Sequence, residues 1–359
     1  MKTILYGLLL LLAGCRPGVG EWMSYSDPAS GRSKPVRTLQ EWDIKRGQLL
    51  DSLQAAMGAL PSRSQLPPFD VQYLDSLHEA TFTRYTVRLT VAAGEELPAL
   101  LYVPLSAKAA RRCPAMLALH PTGAAGKLIP DGESDYRLPY ARELAQQGYV
   151  VIAPDYPGFG DLSDFDFRNS RYASGTMKGI FDHIRCIDWL QSMDFVNADK
   201  IGVIGHSLGG HNALFVAAFD TRLKAVVSSC GWTEFEYYYI GEEASKAYGG
   251  RLGPWAQDKY MPLLRDKYRL ERVPFNFHDV IALIAPRAFY SCSPLHDANF
   301  DVKGVKAGMD KAMEVYRFLN AETALRVSYP DAKHDFPTEN RLEAYDWLDR
   351  IFHHKMYSE

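Results

Sequence analysis

The sequence predicts an α/β protein: a mostly parallel central sheet with helices on both faces and a small inserted cap. Three observations predict it. From about residue 81 to the end, apolar runs of strand length alternate with amphipathic runs of helical length. The alternation breaks once, over about 232–281, where the chain turns aromatic and is interrupted by Gly and Pro. A glycine-flanked serine, Gly205-His206-Ser207-Leu208-Gly209, stands where a strand runs into a helix. The chain has 359 residues, enough for one enlarged domain with a lead segment. Hydrophobic residues at 47% and charged residues at 23% exclude wholesale disorder. A net charge of −3 argues against holding nucleic acid by phosphate neutralisation.

The elements follow in order. Residues 1–15, MKTILYGLLLLLAGC, have a lysine and then an apolar run too short to span a bilayer as a helix. This is the form of a secretory signal, and Leu12-Ala13-Gly14-Cys15 resembles the lipobox of bacterial lipoproteins. That resemblance implies cleavage before Cys15, lipidation of its thiol and a place in the cell envelope at the outer membrane. Residues 16–36 are Gly, Pro and Ser rich and read as a linker; 37–80 read as a lead helix and a Pro-rich segment. In that helix Thr38 and Glu41 form a capping box, Leu39, Trp42, Leu49, Leu50, Leu53 and Met57 recur at helical spacing, and Gly58 closes it.

The main domain is expected over 81–359. Strands are expected at 85–91, 97–103, 115–119, 149–153, 201–204, 223–228, 288–292 and 325–329. Helices are expected at 138–147, 177–193, 212–219, 305–319 and 339–352. Five cysteines are too few for a disulfide-built scaffold. Cys113, Cys186, Cys230 and Cys292 sit in or beside apolar runs and read as buried thiols. If any pair is bonded it is Cys230 with Cys292, which end strands expected to be neighbours.

Ser207 carries the chemistry. A strained turn that brings backbones close needs glycine beside the serine, and the helix N-terminus then favours a developing anion at its Oγ. From these residues the chain resembles the α/β-hydrolases over most of its length. It is most similar to the branch of bacterial esterases that includes dienelactone hydrolases and acetylxylan esterases. The resemblance implies a nucleophile–acid–histidine order and a serine ester hydrolase.

The partners follow from that order. The base is expected after the last strand, where Asp331-Ala332-Lys333-His334 supplies His334; His353 and His354 read as a solvated tail. The acid is expected after the penultimate strand, at Asp297, with Asp301 in reserve. Asp155 reads as structural, and His206 and His120 as residues that shape the site. The oxyanion donors are expected to be the backbone N–H groups of Leu208 and Thr122.

In the cap, Trp232, Phe235, Tyr237, Tyr238, Tyr239 and Trp255 would either stack on a sugar or aromatic acyl group or form the cap's own core. Arg251, Lys259 and Arg265 would either meet a carboxylate or, the favoured reading, be solvated surface. No metal-ligand constellation, P-loop or dinucleotide fingerprint appears, so no cofactor is expected. The expected partner is a small or polysaccharide ester such as acetylated xylan, with membrane contact only through a lipidated Cys15. Competing readings are a thioesterase or dienelactone-type hydrolase, a serine peptidase, and a glycan-binding lipoprotein without turnover. The peptidases on this fold usually carry a large N-terminal domain, for which 17–80 leaves little room.

Overall fold

The computed structural model describes residues 22–133 and 138–354. The expected signal segment and lipobox Cys15 lie outside the described residues. The chain begins with a short hairpin, β1 (Ser24–Ser26) and β2 (Ser33–Pro35), and the lead helix α1 (Leu39–Met57). Next come β3 (Val71–His78), β4 (Phe82–Ala92), β5 (Glu95–Pro104) and β6 (Cys113–Leu119). Alternation then sets in with α2 (Tyr140–Gln146), β7 (Val150–Pro154), α3 (Gly175–Ser192), β8 (Val196–His206), α4 (Leu208–Phe219) and β9 (Leu223–Ser229). Two short helices, α5 (Glu242–Ala247) and α6 (Leu263–Asp266), precede α7 (Phe277–Ile284), β10 (Ala288–Cys292), α8 (Val302–Phe318), β11 (Leu325–Ser328) and α9 (Thr338–Phe352).

Nine strands form one sheet in the order β11-β10-β9-β8-β6-β7-β5-β4-β3. The six from β11 to β7 run parallel, and β5, β4 and β3 extend the sheet antiparallel. Successive side chains of a strand leave opposite faces, so each parallel strand feeds two cores. Leu117, Ile152, Val203, Val226 and Phe289 join the core under α1, α3, α4, α7 and α8. Met116, Val151, Ile204, Val227 and Tyr290 join the core under α2 and α9. This is the α/β class the alternation predicts.

Four expectations need correction. The segment expected as a linker holds the β1–β2 hairpin. Met23 and Val36 are buried, and Gln48 of α1 bonds both the N–H and the carbonyl of Ser26. The 37–80 region also contains β3, which exposes nearly every side chain and so shows no apolar alternation. The cap is shorter than 232–281, because α7 is a body helix packed on α4 and α8. His354 is no solvated tail: its Nε2 meets the Gln147 carbonyl at 2.8 Å, and its ring stands edge-on to Tyr149.

The lead helix forms where the capping box places it. Thr38 Oγ1 accepts the Glu41 N–H at 3.2 Å, and Glu41 Oε2 accepts the Thr38 N–H at 2.8 Å. Cys113, Cys186, Cys230 and Cys292 are buried free thiols. Cys230 and Cys292 are tied by backbone rather than sulfur, the Cys230 N–H donating to the Cys292 carbonyl at 2.9 Å. No helix among the described residues is long and apolar enough to cross a membrane.

Candidate active site

The site is built at the C-terminal ends of the parallel strands. β8 ends at His206, α4 begins at Leu208, and Ser207 makes the turn alone with φ 52°. That left-handed conformation is strained for a residue with a side chain. It is held by the Ser207 N–H donating to the Ser229 carbonyl at 2.8 Å. The flanking glycines are steric necessities. A Cβ on Gly205 would overlap the Gly209 carbonyl, and one on Gly209 would overlap the Leu119 carbonyl at the end of β6.

The turn aims Ser207 Oγ at His334, whose Nε2 lies 2.9 Å away. His334 Nδ1 lies 3.0 and 2.9 Å from the two oxygens of Asp297. A carboxylate only accepts, so Nδ1 carries the proton and Nε2 is left to accept from the serine hydroxyl. Asp297 Oδ1 also accepts the N–H groups of Asn299 at 2.8 Å and Phe300 at 3.1 Å. Burial would raise this carboxyl. The His334 imidazole and the two amides outweigh burial and hold it below the ordinary carboxylate range.

Asp301 is employed elsewhere. It is the N-cap of α8, its Oδ1 accepting the Lys303 N–H at 2.8 Å. Asp155 is fully buried and structural in its contacts. Its oxygens accept from the Lys127 N–H, the Lys127 ammonium at 2.6 Å and the Asp161 N–H. His120 Nδ1–H donates to the Pro121 carbonyl at 2.7 Å while its Nε2 accepts the Tyr156 N–H at 2.9 Å, which steadies the loop carrying Thr122. His206 is buried behind His334 and bonded to Ser229 Oγ at 3.0 Å. Burial, and then His334 beside it, push its pKa down to about 3.

Leu208 and Thr122, the expected oxyanion donors, both line the pocket of about 210 Å³ that opens at Ser207. The cap forms much of its wall. Trp232, Phe235, Tyr238 and Trp255 are buried and continuous with the main core, whereas Tyr237 and Tyr239 are exposed. Arg251 is not free surface: it donates to the carbonyls of Phe235 and Tyr238 and fastens the cap loop. Arg265 pairs with Asp258 and Asp266 at the surface, and the Lys259 ammonium stands 5.0 Å from the centroid of the Phe159 ring.

Sequence reasoning missed several neighbours of the site. Phe300 packs on His334 with ring centroids 5.9 Å apart, and Asn299 and Tyr260 line the pocket. Cys230 sits beside the pair as well. It, Asp297 and His334 form the single His/Cys/carboxylate cluster among the described residues close enough to share an ion. Its imidazole and carboxylate are already bonded to each other. The Cys230 thiol donates to the Asp335 carbonyl, and burial with the Asp297 charge pushes its pKa well up. Only the end of β9 next to the elbow could have hinted at it.

Comparison with known proteins agrees with this architecture. The model of the prolyl oligopeptidase family matches residues 134–354. The chain is 28% identical over 316 residues to YtaP of Bacillus subtilis (strain 168), a protein named as a hydrolase, covering 85% of this chain and 99% of that one. Among solved structures, a glucuronoyl esterase from Solibacter usitatus superposes with a TM-score of 0.70 at 20% identity, over 94% of this chain and 99% of that one. Acetyl xylan esterase 1 from Thermoanaerobacterium sp. JW/SL YS485 superposes with a TM-score of 0.53 at 17% identity, over 85% and 93%. The expectation of an α/β-hydrolase fold is borne out, and the chain belongs to the prolyl oligopeptidase family of serine hydrolases.

Proposed function

We propose that this protein is a serine carboxylic-ester hydrolase acting on carbohydrate esters such as acetylated xylan. The observation that carries the reading is the unbroken chain Asp297–His334–Ser207 at the mouth of a small pocket. Ser207 Oγ attacks the ester carbonyl and His334 Nε2 takes its proton. Asp297 holds the Nδ1–H tautomer and stabilises the imidazolium that forms. The carbonyl oxygen, now an anion, lies at the N-terminus of the twelve-residue helix α4, where the N–H groups of Leu208 and Thr122 receive it. His334 then protonates the leaving alcohol. The same imidazole next activates water against the acyl-enzyme, which releases the acid and restores Ser207.

The carbohydrate part of the reading is supported by structural likeness to a glucuronoyl esterase and an acetyl xylan esterase, which is likeness of fold. A lipid anchor at Cys15, and with it a cell-envelope location, is supported by the lipobox-like Leu12-Ala13-Gly14-Cys15. The family match favours one second reading, a serine peptidase using the same residues.

Acetate release from acetylated xylan and from p-nitrophenyl acetate, measured beside Ser207→Ala and beside peptide p-nitroanilides, separates these. Turnover of the acetyl esters that Ser207→Ala abolishes is the expected result. Cleavage of the anilides alone would replace the esterase by a peptidase. For the anchor, detergent-phase partitioning lost in Cys15→Ser is expected.

A further inference from the structure

The pocket beside Ser207 carries two buried polar atoms that the fold leaves without partners. His211 stands one helical turn beyond Ser207 on α4, and Trp255 packs against it from the cap with ring centroids 5.0 Å apart. Their exposures are only 7% and 4%. His211 Nδ1 and Trp255 Nε1 are closed to solvent and have no hydrogen-bond partner. A folded protein rarely tolerates such atoms without a reason.

The same molecule provides for its other buried rings nearby. His206 Nδ1 meets Ser229 Oγ, His278 Nδ1 meets Glu234, and the Trp232 N–H donates to Ser291 Oγ at 2.9 Å. Of the six unpartnered buried side-chain atoms among the described residues, two belong to walls of this one cavity. The remaining wall includes Tyr238, Tyr248, Tyr260 and Asn299, and no Asp, Glu, Lys or Arg lines it among the described residues. Burial alone pushes the His211 pKa down to about 3, so the ring is neutral and offers one donor and one acceptor.

We propose that His211 and Trp255 read the substrate, hydrogen-bonding hydroxyl oxygens of an uncharged sugar ring whose ester is presented to Ser207. This rests on the ester-hydrolase reading and narrows its substrate to neutral hydroxylated esters. Both residues line the pocket while these nitrogens are closed to solvent, so binding has to turn the two rings toward the cavity. An alkyl acyl group would leave both nitrogens unpaired. A carboxylate would lose its hydration to a wall with no cation. A sugar ring satisfies the nitrogens and lays its C–H face on the aromatic walls. The cavity of about 210 Å³ suits one such ring.

The test compares kcat/KM for an O-acetylated methyl xyloside and for p-nitrophenyl acetate, using the full-length chain in detergent. The variants are Trp255→Phe, which removes the N–H together with part of the indole ring, His211→Phe, and His211→Asn, which restores a polar group near Nδ1. The selectivity ratio, xyloside acetate over p-nitrophenyl acetate, is expected to fall about tenfold in each Phe variant, mainly through KM, and to recover in His211→Asn. Trp255→Phe also leaves a small cavity in the core, so some fall in Tm is expected and the selectivity ratio carries the test. An unchanged ratio in both Phe variants would overturn the proposal. So would a wild type that cleaves p-nitrophenyl acetate but no neutral sugar acetate. Turnover surviving in Ser207→Ala would instead remove the ester-hydrolase reading on which the proposal stands.

Discussion

His334 Nε2 lies 2.9 Å from Ser207 Oγ although 127 residues separate them. One imidazole ring thereby joins three loops: the turn after β8, the loop after β10 that holds Asp297, and its own loop after β11. Each loop leaves the same end of a parallel sheet, which is why residues so distant in sequence meet.

Asp297 and Asp301 can be told apart by substitution. Asp297→Asn loses the carboxylate that keeps the proton on Nδ1, and kcat is expected to fall roughly 10⁴-fold on p-nitrophenyl acetate. Asp301→Ala should keep kcat near wild type and lose about 1 kcal/mol of stability in urea unfolding, the worth of an N-cap. Equal losses of kcat in both variants would contradict the geometry.

Two glycines should respond oppositely to alanine. In Gly209→Ala the new Cβ meets the Leu119 and His120 backbone, so a loss of about 1–3 kcal/mol and of turnover is expected. In Gly47→Ala the Cβ enters open space within α1, and a gain of about 0.5–1 kcal/mol is expected. Chemical denaturation of both variants checks the pair.

The Lys127–Asp155 pair holds the turn at Gly126 and Gly160, where a Cβ would run into the Asp155 carboxylate. Asp155→Asn leaves a buried ammonium with only the exposed Asp161 beside it. A loss of about 3–5 kcal/mol is expected, read as a lower urea midpoint. A midpoint within error of wild type would show the pair to be dispensable.

Acid should destabilise the fold through its buried histidines. Burial first, with neighbouring charges adding for two of them, pushes the pKa of His183, His206 and His211 down to about 3. The unfolded chain titrates near 6.5. Between those values the unfolded state binds the extra protons, so stability is full above about pH 6.5 and drains as pH falls toward 3. Each histidine contributes a slope of about 1.4 kcal/mol per pH unit. His183→Gln, away from the pocket, should flatten the curve by one such slope. An identical slope in the variant would count against this origin.

Much of this was legible because it is local. The Thr38–Glu41 capping box and the glycines around Ser207 each state their geometry within a few residues, and His334 is the one histidine in the loop between β11 and α9. The β1–β2 hairpin and β3 were not legible. Strands of three residues are too short to show a period, and an edge strand facing water on both sides has none. The helix α7 read as cap because its Phe277 continues an aromatic run, and only its packing on α4 and α8 assigns it to the body.

The order of apolar runs and the steric demands of one serine turn were thus enough to indicate the parallel part of the sheet and the candidate nucleophile, and the family resemblance added the place of the candidate base. Such signals are carried by neighbours along the chain. The choice of Asp297 over Asp301 was decided in three dimensions, because the N-terminus of α8 captures one carboxylate and leaves the other facing His334. The pairing of His211 with Trp255 arose in the same way. Helix and cap meet only once the sheet has brought them together, and no spacing along the chain records which buried nitrogens that meeting leaves unsatisfied.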